Sequence, residues 1–165
     1  MVSKVEAYLG RAENNIVLAK HLYELSTHAC MREDMNLKED MTFLGDVVSL
    51  SYYSIFYAAK AYTISNGSRG TAKTVHADTY EMLEKELYSK GFGAKTKEVY
   101  EALMIDSRKL LDIFINEKNK RGSYTYNPMS KAKLRNAKAS IENAEIFLIS
   151  IKYLLENNPL WDIAR

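Results

Sequence analysis

One nine-residue segment gathers the side chains best suited to chemistry: Lys118-Asn119-Lys120-Arg121-Gly122-Ser123-Tyr124-Thr125-Tyr126. An arginine guanidinium is planar and can donate two parallel hydrogen bonds, which matches the geometry of a phosphate. Lys118 and Lys120 add positive charge on either side, and Ser123, Tyr124 and Tyr126 add neutral hydroxyl donors. The segment therefore reads as a phosphate cradle centred on Arg121. A purely structural role competes with this. The periodic stretch before Arg121 ends near Lys120, and a cation at the end of a helix suits the negative pole of its dipole.

The surrounding charge supports the cradle. From Asn116 to Ser140 there are seven basic residues (Lys118, Lys120, Arg121, Lys131, Lys133, Arg135 and Lys138) against one acid, Glu117. That stretch carries +6 in a chain of net charge +2, so the remainder carries −4. A local field of one sign concentrates phosphate-bearing partners even when the whole chain is nearly neutral. Twelve tyrosines invite a nucleic-acid reading too, because exposed aromatics stack on bases. Tyr52, Tyr53, Tyr57 and Tyr62 fall in the most apolar stretch and read as core, whereas Tyr124 and Tyr126 fall in a polar segment beside cations.

Most familiar enzyme signatures are absent. No Glu-x-x-His pair suits a di-metal bundle, and His21, His28 and His76 form no His-Glu-x-x-His zinc pair. There is no Gly-x-x-x-x-Gly-Lys loop, no Gly-x-Gly-x-x-Gly fingerprint and no nucleophile elbow. His76 opens a helix after a Gly-rich segment, where a capping or interhelical hydrogen bond accounts for it. His21 and His28, seven residues apart, suit a solvated helix edge. Cys30 is the only cysteine, so no disulfide framework or cysteine-based zinc site can form. Neither a metal nor a cofactor is expected.

The elements that must position the cradle are helices. Periodic stretches run over Lys4 to Thr27, Met41 to Ser65, Thr74 to Ser89, Lys95 to Lys120 and Ser130 to Glu156. Loop-like segments separate them at Ser65 to Gly70, Lys90 to Gly93 and Arg121 to Pro128. Ser130 is placed to N-cap the last helix. There, Leu134, Ala137, Ile141, Ala144, Leu148, Ile151 and Leu155 recur at alternating spacings of three and four, a narrow apolar seam. The stretch from Phe43 to Ile64 is apolar nearly all round, as expected of a helix buried by several neighbours or by a second subunit. No strand-type alternation competes. The expectation is an all-α, up-and-down bundle of four long helices and a shorter one, forming a single domain over residues 1–165. No apolar run approaches the roughly 18 residues of a membrane span. No basic leader followed by an apolar segment opens the chain, which points to the cytoplasm.

Three stretches resemble the HEPN superfamily of helical domains. They are Tyr52-Tyr53-Ser54-Ile55-Phe56-Tyr57-Ala58-Ala59-Lys60-Ala61, the turn Asn66-Gly67 leading to Lys73-Thr74-Val75-His76, and Arg121 with Tyr126 between the last two long helices. The resemblance covers most of the chain and implies a helical bundle acting as a homodimer, with the Arg motifs of both subunits facing a shared cleft. It further implies an RNA or nucleotide ligand and a minimal nucleotidyltransferase as partner in a toxin–antitoxin-like pair. Many members are metal-independent ribonucleases using Arg-x(4–6)-His. Here four residues separate Arg121 from Tyr126, and no histidine falls in that window. A phenol titrates near pH 10 and is a poor base at neutral pH. Binding through Arg121, Lys118, Lys120, Ser123 and Tyr124 is therefore expected first. The alternative is metal-independent RNA cleavage by Arg121 and Tyr126 at the dimer cleft.

Overall fold

The computed structural model describes residues 3–67, 75–89, 107–127 and 130–157. Six helices lie among them: α1 (Lys4–Thr27), α2 (Ala29–Asp34), α3 (Leu44–Ser65), α4 (Val75–Ser89), α5 (Ser107–Tyr126) and α6 (Leu134–Glu156). No strand occurs among the described residues. The all-α bundle with four long helices and the shorter α4 stands as expected, with the six-residue α2 as an unforeseen addition. The expected segments 68–74 and 90–106, including the turn Lys90 to Gly93, lie outside the described residues.

Local chemistry sets the helix limits. Ser3 caps α1 in a reciprocal box, its Oγ accepting from the Glu6 N–H at 3.2 Å while Glu6 accepts from the Ser3 N–H at 2.8 Å. At the other end His28 turns extended, so it lies outside α1 rather than on a shared face with His21. Arg32 of α2 donates to the carbonyls of Leu25 and Ser26 at 3.1 and 2.9 Å, satisfying acceptors the helix end leaves open. The Phe43 N–H donates to Ser26 Oγ at 2.8 Å, which ties the start of α3 to the end of α1. Gly67 ends α3 at φ 79°, a conformation that costs a side-chain-bearing residue but not glycine.

Two sequence expectations fail at the α5–α6 connection. The expected loop from Arg121 to Tyr126 is helical, and it extends α5 by almost two turns. Gly122 does not break it, because one glycine costs a helix only about 1 kcal/mol. Ser130 does not cap α6, which begins at Leu134 with Lys133 at the cap position and no side-chain cap bond. Leu134 consequently sits in the first turn, half exposed, while the other six seam residues are buried.

α3 is the central helix. It packs against α1, α4, α5 and α6, so neighbours within the chain account for its apolar circumference. Fourteen of its 22 residues are buried, Tyr52, Val47, Val48 and Ile55 completely. The main core joins Tyr52, Ile55, Phe56 and Ala59 to Leu83 and Leu87 of α4, Leu110 and Phe114 of α5, and Phe147 and Ile151 of α6. A smaller cluster of Ala19, Leu44, Val47, Val48, Ala137 and Ile141 closes the other end of α3, with Tyr124 and Ala132 packed on it. This second cluster fixes the corner between α5 and α6, and with it the C-terminal turns of α5 that carry Arg121.

Candidate phosphate-binding site

Arg121 reaches across to α3. Its Nη2 donates to the Tyr53 hydroxyl at 2.7 Å, and its Cζ lies 5.9, 5.3 and 5.1 Å from the ring centres of Tyr52, Tyr53 and Tyr126. Three electron-rich faces thus surround one guanidinium, a favourable placement for a weakly hydrated cation. Among the described residues no carboxylate lies within ion-pair distance of Arg121, and its buried Nε has no hydrogen-bond partner. Glu117, one turn earlier on the same helix, is spaced to pair with it. Glu117 instead accepts from Lys120 at 2.6 Å and from Asn143 at 2.8 Å. Among the described residues the one hydrogen bond of this guanidinium is the one to Tyr53.

Behind Arg121 stands His76 of α4. Its Nδ1 is 2.7 Å from the Tyr52 hydroxyl, and its ring packs on Phe56 at 4.4 Å between centres and on Tyr52 and Tyr53 at 5.6 and 6.2 Å. Burial, then the nearby charges of Arg121 and Lys118, holds its pKa below the ordinary imidazole value of 6.5. Burial pushes the Tyr52 phenol far above its usual range, with Arg121 opposing only in part. At neutral pH the pair is therefore a neutral imidazole bonded to a protonated phenol. Folding holds His76 less protonated than the open chain would. Its contribution to stability is thus full above pH 6.5 and is lost as pH falls below it. Thermal melts between pH 7 and 5 should show a steeper loss for the parent than for His76→Gln; equal slopes would contradict the assignment.

The guanidinium faces a cleft of about 660 Å³ between the start of α3 and the α5–α6 corner. Arg121, Tyr53 and Tyr124 line one side, Lys131 and Ser130 lie on the α6 side, and Asp40 and Asp46 line it from the α3 approach. Ser49 and Thr125 bridge its wall with a hydroxyl contact of 3.1 Å. Cations on one side and carboxylates on another suit a ligand that carries phosphate and also hydrogen-bond donors.

The expected cradle residues divide. Arg121 and Tyr126 meet, the Tyr126 ring being 71% exposed and open to stacking. Tyr124 joins the same cleft, its hydroxyl accepting from Asn136 at 2.7 Å. Lys118 lies near enough to His76 to depress its pKa. Lys120 and Ser123 turn the other way, toward a hollow of about 420 Å³ that they line with Asn116, Asn119, Asn143 and the far side of Tyr124. Ser123 there donates to the Asn119 carbonyl of its own helix at 3.1 Å.

Of the capping or interhelical hydrogen bond expected for His76, it makes the interhelical one, but nothing in the spacing brings it to Arg121, 45 positions away. Nor does the spacing foresee Tyr52 and Tyr53 as the partners of that arginine. The one signal available was the doubled tyrosine in the most apolar helix. Among the described residues no three His, Cys, Asp or Glu side chains converge as metal ligands, and no helix is long and apolar enough to cross a membrane. Compared with family models, curated proteins and solved structures, the chain matches none.

Proposed function

We propose that this protein is a HEPN-like module that binds RNA or a nucleotide through a phosphate held by Arg121. The observation that carries the reading is a half-buried guanidinium with no acid partner among the described residues, set among tyrosine rings at the edge of a cleft. A structural arginine this well enclosed ordinarily pairs with a carboxylate. This one spends a donor on a phenol and holds Nε unspent. Lys131 in the cleft and Lys118 near His76 add to the local positive charge, and the exposed Tyr126 ring offers a face for a base. The association with a minimal nucleotidyltransferase in a toxin–antitoxin-like pair rests on the resemblance alone.

The test is binding of a labelled single-stranded RNA, followed by anisotropy as salt is raised. The expected log–log plot is linear, with a slope of about −0.7 for each phosphate engaged. Failure to bind single-stranded RNA, mononucleotides and dinucleotides at low salt would overturn the reading.

A second reading, metal-independent cleavage, is favoured by His76. A neutral imidazole beside Arg121 supplies the base that the Arg-x4-Tyr spacing lacks, provided Nδ1–H donates to Tyr52 and leaves Nε2 free. This reading predicts RNA breakdown in excess EDTA that disappears in His76→Ala and survives Tyr126→Phe. Intact RNA with the parent protein would leave binding without turnover as the function.

A further inference from the structure

The tyrosines of α3 continue past the Arg121 site. Tyr53, which accepts from Arg121, stacks on Tyr57 one turn later, with ring centres 6.4 Å apart and planes 29° from parallel. Tyr57 stacks in turn on Tyr8 of α1, at 6.0 Å and 26°. The far end of this row carries a second guanidinium, for Arg11 Cζ lies 5.7 Å from the centre of the Tyr57 ring. All three rings pack on the main core with one side and are only partly buried. Parallel rings in contact stand about 3.5 Å apart, so centres at this spacing imply a sideways offset of about 5 Å. Each ring therefore covers only the margin of the next.

The local sequence keeps acids away from the row. Side chains three and four positions apart are the neighbours on a helix. For Arg11 these are Ala7, Tyr8, Asn14 and Asn15, and for Tyr57 they are Tyr53, Ser54, Lys60 and Ala61. The one acid of α3, Asp46, lies two turns before Tyr53, at the end away from Arg11. Arg11 is exposed, and among the described residues no carboxylate lies within ion-pair distance of it or of Lys60. A single cation over a surface ring contributes little. Two acid-free guanidiniums at the two ends of one tyrosine row are more informative.

We infer that a single strand of RNA follows this row, with one phosphate on Arg121, a second on Arg11, and bases against Tyr53, Tyr57 and Tyr8. The inference rests on the proposed function and deepens it, because the ligand becomes an oligonucleotide and not a mononucleotide. By way of the ring centres the two guanidiniums lie no more than about 17 Å apart, room for roughly four or five stacked nucleotides at about 3.4 Å each. Cations that track the backbone, with aromatic rings between them, are the means by which a protein holds a single strand. Every base has a π-face, so the row itself imposes no strong base preference.

Anisotropy of labelled oligouridylates of two and five nucleotides, each titrated at several salt concentrations, tests the inference. The parent should bind the longer strand at least about 30-fold more tightly, beyond the roughly fourfold that its extra registers supply. Arg11→Gln should leave dinucleotide binding unchanged, weaken the five-nucleotide strand about 5- to 10-fold and make its salt slope shallower by about 0.7. Lys20→Gln removes the same charge from the side of α1 that faces α6, and should change neither ligand. Tyr57→Leu should weaken the longer strand about tenfold; if that variant fails to fold, Arg11→Gln decides. Arg121→Ala should weaken both lengths. A length effect no larger than the extra registers supply, or an Arg11→Gln variant equal to the parent on the longer strand, would overturn the strand path and leave the Arg121 site standing. A parent that binds neither length would overturn both.

Discussion

Arg121→Ala should lower affinity for single-stranded RNA by about 10- to 100-fold, the loss expected for a charge-assisted hydrogen bond of about 1.5–3 kcal/mol to a phosphate. The protein should remain folded, because Arg121 engages a single phenol and that hydroxyl is half-buried, not sealed. Arg121→Lys is the sharper variant. It keeps the charge, so the salt dependence should persist. It loses the planar fork and the stacking on Tyr52, Tyr53 and Tyr126, so most of the affinity should still be lost. Full affinity in Arg121→Lys would show that only net positive charge matters at this position. Unchanged affinity in Arg121→Ala would remove the site altogether. Titration of a labelled oligonucleotide at two salt concentrations separates these outcomes.

The largest stability effect is expected at Glu117. Its side chain is completely buried, with one carboxylate oxygen accepting from Lys120 and Asn143 and the other without a partner among the described residues. Lys120→Met removes the only cation paired with it among the described residues and leaves a buried charge uncompensated. Breaking a buried pair in this way costs about 3–5 kcal/mol, and the partial exposure of the lysine places this case at the low end. Glu117→Met alone removes the charge but leaves Lys120 and Asn143 at the edge of the hollow, where they can reach water. Glu117→Met with Lys120→Met should therefore recover most of the stability lost in Lys120→Met. Denaturant midpoints of the three variants test this. A fully stable Lys120→Met would mean that the carboxylate is not held as an ion there.

The contrast between these two residues shows what could be read from the sequence. Periodicity located the helices well, because an apolar stripe must face a core wherever the chain runs. The seam from Ala137 to Leu155 is buried as its spacing required. Helix ends were harder. Gly122 and the polar run after it resemble a stop signal, yet packing of Tyr124 on the second core cluster carries α5 on to Tyr126. That extension matters for the site, because it sends Arg121 to α3 and Lys120 and Ser123 to the opposite side. Lys120, Arg121 and Ser123 look like one cradle in a sequence, but on a helix they point in different directions. Glu117 looked like one acid diluting a basic stretch, although it is the most deeply buried charge described. Pairings such as Arg121 with Tyr53 and His76 with Tyr52 span 68 and 24 positions, distances over which side-chain identity carries no directional information.

The position of α3 has a bearing on how the chain comes apart. Among the described helices, all but the short α2 rest on it, whereas α1 and α4 share no close backbone contact and α5 meets α6 only lightly. Each of α1, α4, α5 and α6 buries apolar residues in a core cluster shared with α3, and α3 alone is too apolar to stand in water. Opening one neighbour therefore exposes a stripe of α3 that the remaining helices cannot cover. Partial opening is penalised from both sides, and unfolding of the bundle tends toward a single cooperative event. Tyr52 and Tyr53 lie near the middle of α3, so the surface that holds Arg121 shares in that cooperativity.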